Sequence, residues 1–132
     1  MRAEELMVGC YITFKDCLPD LPPPPVKILG IGYVYTGHEN EVLAQIGRDK
    51  ACDIIEIDDE CTGYPLTPAV LEQNGWFLAN GVWVLKSSPR LGWNPRTKEL
   101  ITGYYTFPAT IEYVHQLQIL MRLLGVEETI KL

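Results

Sequence analysis

No run of apolar residues in this sequence approaches the ~20 needed to cross a bilayer as a helix, so a helical membrane span is excluded. The first residues, MRAEELMVGCYITF, carry two glutamates and reach Lys15 without the apolar core of a signal peptide. A cytoplasmic protein is therefore expected. Histidine is scarce, limited to His38 and His115, and no GxSxG, HExxH, P-loop or close cysteine and histidine signature occurs. The common routes to nucleophilic, zinc and nucleotide chemistry are thereby removed. Basic residues are also few: 11 Lys and Arg against 17 Asp and Glu leave a net charge of −6. Such a balance opposes non-specific attraction to a phosphate backbone, and nucleic acid would need a local basic patch.

Four cysteines are present, Cys10, Cys17, Cys52 and Cys61. Structural zinc favours cysteine pairs with roughly two to four residues between them, a spacing found nowhere here. Free thiols are expected, with no metal and no cofactor. The acidic triplet Asp58, Asp59 and Glu60 lacks the alternating ligand spacing and central glycine of a calcium loop and reads as a solvated turn. Gly30 and Gly32 lack the third glycine, the following helix and the distal acid of a dinucleotide site.

What the chain does have is apolar residues in short, punctuated runs. Hydrophobic residues make up 47% and charged residues 21%, a balance that folds, and 132 residues suit one domain over 1–132. Residues 6–62 are strand-rich: Leu6 to Phe14, Val26 to Tyr35, Glu41 to Ile46 and Ile54 to Ile57 are β-prone runs separated by turn chemistry. Pro22 to Pro25 must adopt polyproline II, which suits a stiff connection better than a recognition motif. His38 falls in the Thr36 to Asn40 turn. Thr67 followed by Pro68 starts a short helix over 67–74 that Gly75 ends. Hairpins then occupy 76–105, one turning at Asn80 and Gly81, the next at Asn94 to Thr97. The fold class expected is α+β: a small antiparallel sheet or half-open SH3-like barrel, β-hairpins, one short middle helix and a longer C-terminal helix.

That last helix is expected over 110–124. Tyr113, Val114, Leu117, Leu120, Met121 and Leu124 share one stripe of a helical wheel. Thr110 serves as N-cap, Glu112 and Arg122 sit where the macrodipole favours them, and Gly125 supplies the left-handed residue past the end. Ile119 and Leu123 stand apart from the stripe, which predicts a second covered face.

Three separated pieces, MVGCYI, YPLTPAVLEQNGW and EYVHQLQILMRLLGVEE, resemble a family of short uncharacterised proteins of Bacteroidetes-type bacteria and their phages and prophages. The matching positions are Gly9; Pro65, Leu66 and Thr67 with Gly75 and Trp76; and Tyr113, Val114, His115, Gln116, Leu117 and Gln118. The proline run and the four cysteines depart from the pattern. The resemblance implies a cytoplasmic, phage- or prophage-associated protein and assigns no catalytic residues.

Two binding surfaces follow from the residues. The first is a protein or self-association surface at Ile119 and Leu123, rimmed by His115, Gln116 and Gln118 as interfaces are. The second, for a small ligand or single-stranded nucleic acid, would use the aromatic and basic hairpin residues Trp93, Arg90, Arg96 and Tyr105. An enzyme built on His115 is the weaker reading, because no nucleophile accompanies it. A non-enzymatic protein-interaction module is the expectation.

Overall fold

The computed structural model describes residues 6–15, 25–31, 40–47, 51–58, 61–103 and 105–132. Pro22 to Pro24, Cys17, Gly32, His38, Asp59, Glu60 and Tyr104 lie outside the described residues. The protein is α+β, with two antiparallel sheets and two helices. Where the sequence suggests one domain over 1–132, the chain divides into two compact units, Met1–Tyr64 and Pro65–Leu132. None of the described helices is long and apolar enough to cross a membrane.

The first unit contains β1 (Tyr11–Phe14), β2 (Val26–Ile31), β3 (Glu41–Ile46), β4 (Ala51–Glu56) and β5 (Cys61–Gly63), ordered β4-β3-β2-β1-β5. Four strands meander, and the fifth returns antiparallel to the first, pairing Ile12 with Gly63 and Phe14 with Cys61. It is an antiparallel sheet with β4 and β5 as its edges. Alternation drives it: Val26, Ile28, Val42 and Ala44 are fully buried, while Leu43 and Ile54 stand opposite one another on the exposed side. A register shift between Ile28 and Gly30 bends β2 over the core.

The second unit runs α1 (Pro68–Gln73), β6 (Trp76–Ala79), β7 (Val82–Leu85), β8 (Ser88–Asn94), β9 (Glu99–Thr102), β10 (Tyr105–Thr110) and α2 (Val114–Leu123). Its sheet is a pure meander, β10-β9-β8-β7-β6. Local chemistry accounts for most of the turns. Thr67 accepts a hydrogen bond from the Val70 amide at 3.3 Å and Pro68 follows it, the start expected for α1. Asn80 and Gly81 both take positive φ, 52° and 79°, as a two-residue hairpin turn requires. Between β8 and β9, Asn94 Oδ1 accepts from the Arg96 amide at 3.0 Å, and its carbonyl accepts from Lys98 at 2.7 Å.

The C-terminal region differs from expectation in one respect that matters. Glu99 to Tyr105 is not a single strand leading to a helix at 110. The chain reverses at Gly103, φ 60°, and Tyr105–Thr110 returns as a fifth strand. Pro108 is tolerated there because β10 is an edge strand and its pairing breaks register between Thr106 and Thr110. Thr110 is consequently a strand residue paired with Glu99, not a cap. Glu112 lies ahead of the helix and pairs with Lys98 at 3.1 Å. The N-cap is Tyr113, and α2 covers 114–123 instead of 110–124.

Candidate functional site

The helix start is built by a residue that the sequence reading assigned to a partner. Gln116 Oε1 accepts from the backbone amides of Glu112, at 2.8 Å, and Tyr113, at 3.1 Å. Four amides at a helix start lack intrahelical partners, and a glutamine at the third helical position reaches back to them. Its carboxamide oxygen is thus occupied in holding α2.

His115 is also placed differently. Only 5% of it is exposed, and its ring stacks on Tyr113 with centroids 5.8 Å apart. It joins Val114, Leu117 and Met121 on the buried side, so the buried arc is rotated toward His115 from the stripe expected. Tyr113 caps the helix, and Leu120 and Leu124 are left partly exposed. His115 therefore belongs to the core, not to an interface rim. Of the remaining residues in that group, Gln118 and Ile119 are half-buried, and Leu123 is 73% exposed.

The hairpin group divides as well. Trp93 is 5% exposed, and its indole N–H donates to the Ile111 carbonyl at 3.0 Å. It fastens the segment leading into α2 and offers no face on which a base could stack. Arg96 is exposed in the β8–β9 turn. Arg90 and Tyr105, by contrast, come together along one apolar groove of about 690 Å³.

The groove follows from the register of the second sheet. Trp83, Trp93 and Leu100 form one row across β7, β8 and β9, and all three are buried. The adjacent row, Val84, Gly92 and Ile101, points to the opposite side and forms the groove floor with Val82. Gly92 keeps that floor low. A Cβ there would lie 3.1 Å from Val82 Cγ1, closer than side chains normally sit.

One wall comes from the end of α2. Gly125 adopts φ 74°, its amide bonds the Arg122 carbonyl at 3.1 Å, and the Val126 amide bonds the Met121 carbonyl at 2.9 Å. This paired closure is the Schellman motif expected from Gly125 in the sequence. It presents Leu124 and Val126 to the groove. The other wall is formed around Ser88, Arg90, Thr102 and Tyr105, the last 79% exposed. Among the described residues of the lining, Arg90 is the one with a charged side chain.

Among the described residues, the lining of the groove has no histidine, cysteine or carboxylate. Of the cysteines among the described residues, Cys10 and Cys61 are buried and Cys52 is exposed. Burial pushes the Cys61 thiol up, partly offset by a backbone hydrogen bond at Asp58, so its thiolate is disfavoured. Among the described residues no cluster of three or more potential metal ligands occurs.

Sequence reasoning named Arg90 and Tyr105 but missed Val82, Val84, Gly92, Ile101, Leu124 and Val126. The four apolar residues Val82 to Leu85 imply two apolar faces without showing which one is covered. Compared with protein-family models, with curated proteins and with solved structures, the chain matches none.

Proposed function

We propose that this protein is a non-enzymatic protein-interaction module acting in the cytoplasm, and that the groove of its second unit is the surface on which a partner sits. The observation carrying this reading is the groove itself: an apolar floor of Val82, Val84, Gly92 and Ile101, with exposed Tyr105 and Arg90 beside it. Tyrosine and arginine are enriched at interfaces, and charged residues are depleted from their centres. Leu123, at the end of α2, is a further exposed apolar side chain of this unit. The phage or prophage association suggested by the terminal helix belongs to the same proposal.

A partner captured from a host extract by the wild-type chain should be lost with Ile101→Asp and weakened with Tyr105→Ala, but retained by Arg96→Ala. Equal capture by all four chains would sink the reading. Light scattering on the same proteins tests whether the partner is a second copy: a dimer that dissociates on Ile101→Asp would identify it.

A second reading is a small apolar ligand in the same groove. Its volume of about 690 Å³ favours this, lying within the range of small-molecule sites.

A further inference from the structure

The groove's position in the sheet restricts what can occupy it. Strands β7, β8 and β9 each have a hydrogen-bonded neighbour on both sides. Their amides and carbonyls are spent on the sheet, so an extended peptide lying across them gains no ladder. It would bring its own unpaired backbone groups onto an apolar floor, at about 1 to 3 kcal/mol for each one left unsatisfied. A helix arrives with those groups already paired. From β7 to β10 the groove crosses three strand spacings, about 14 Å, wide enough for a helix about 10 to 12 Å across. A small molecule would stay wet along one side, because Tyr105 and Leu124 at the margin are 79% and 40% exposed.

Charge adds a second restriction. Arg90 is the one ion in the lining, and Glu127 and Glu128, which follow Val126, do not contribute to it. Although the chain carries −6 overall, charges beyond about 8 Å are largely screened at physiological salt. Within the described lining the guanidinium of Arg90 is the charge that an occupant meets, and it suits a carboxylate.

We infer that the groove receives an amphipathic helix of a partner protein, its apolar stripe on Val84, Gly92 and Ile101 and an Asp or Glu against Arg90. This rests on the groove being the binding surface. Helix-in-groove recognition of this kind reads apolar anchors at i, i+3, i+4 and i+7.

The test is a displayed library of peptides about 15 residues long, about four helical turns, selected on the full chain and counter-selected on Ile101→Asp. Selected peptides are expected to share the helical apolar spacing with at least one acidic residue. A fluorescent selected peptide should lose about tenfold in affinity for Arg90→Glu, and its acid-to-lysine version should recover on that variant. Arg90 is exposed, so its replacement leaves folding intact; thermal melts check Ile101→Asp, with Tyr105→Ala as the second groove variant. Peptides with strictly alternating apolar residues, or indifference to Arg90→Glu, would overturn the inference while leaving the groove as the binding surface. Groove-dependent binding of dodecanoate with no peptide selected would overturn it in favour of a small amphiphile. Failure of every probe to distinguish wild type from Ile101→Asp and Tyr105→Ala would bring down the underlying reading too.

Discussion

Both units of this chain are built on a five-stranded antiparallel sheet, yet the two sheets use their uncovered apolar residues differently. In the first, Leu43 and Ile54 lie on an open row, and the next pair on that side is Glu41 opposite Glu56. Apolar and charged positions are interspersed there, as on an ordinary surface. In the second, Val84, Gly92 and Ile101 are consecutive across three strands, and the closing turn of α2 raises Leu124 and Val126 beside them. A binding surface thus needs more than exposed leucines and isoleucines. It needs a row without charges, a low point and a wall.

That contrast can be attacked through the second sheet's two faces. Leu100 is fully buried and Ile101, its neighbour, is half-buried on the groove side. Leu100→Ala should cost about 2 to 5 kcal/mol in urea denaturation. Ile101→Ala should cost about 1 kcal/mol or less, with its main effect on binding. Equal losses would mean that the groove floor is core and the comparison is misdrawn.

The wall is the next target. Gly125→Ala forces a side chain into φ 74° and should destabilise by about 1 to 2 kcal/mol. Because it displaces Leu124 and Val126, it should weaken groove-dependent binding beyond what Leu123→Ala does. Titrating the selected peptide against both variants checks this.

Two tryptophans sharpen the distinction between anchoring and filling. Trp93 donates to Ile111, whereas the buried indole N–H of Trp76 has no hydrogen-bond partner among the described residues. Trp93→Phe should therefore cost about 1 kcal/mol more than Trp76→Phe, since only the former strands a carbonyl. Chemical denaturation of the two variants reads the difference.

The smallest effect concerns the first unit. Cys61 is buried in the folded state and its thiol is pushed up, so the folded chain holds this proton to higher pH than the unfolded one. Stability from this source is complete below the ordinary thiol range and is lost as pH rises through the folded value. Cys61→Ala should flatten the alkaline end of the stability profile, which urea denaturation across that pH range would read.

Much of the fold was legible in local residues. Thr67 with Pro68, Asn80 with Gly81, and Gly125 each constrain a few dihedrals directly, and each sits where its chemistry demands. Tyr105 to Thr110 was not legible as a strand, because Pro108 argues against one unless the strand is known to lie at an edge. Misplacing that strand carried the helix start from Val114 back to Thr110, whereas the burial of His115 depends on what packs against α2, which a wheel does not show. At the site, Arg90 and Tyr105 could be picked out as exposed binding-type residues. Val82, Val84 and Ile101 could not, since a wheel or an alternation shows two faces without showing which one is covered.

The sequence by itself determined the turn at Asn80 and Gly81, the start of α1, the close of α2 and the α+β class, because backbone preference and side-chain hydrogen bonds act over a few residues. Only the tertiary structure decided which face of the second sheet stays open and which residues border it. Cross-strand register brings Val84, Gly92 and Ile101 together, and the end of α2 sets Leu124 and Val126 at their side. Those juxtapositions link residues far apart in the chain, and no local rule acts over that distance.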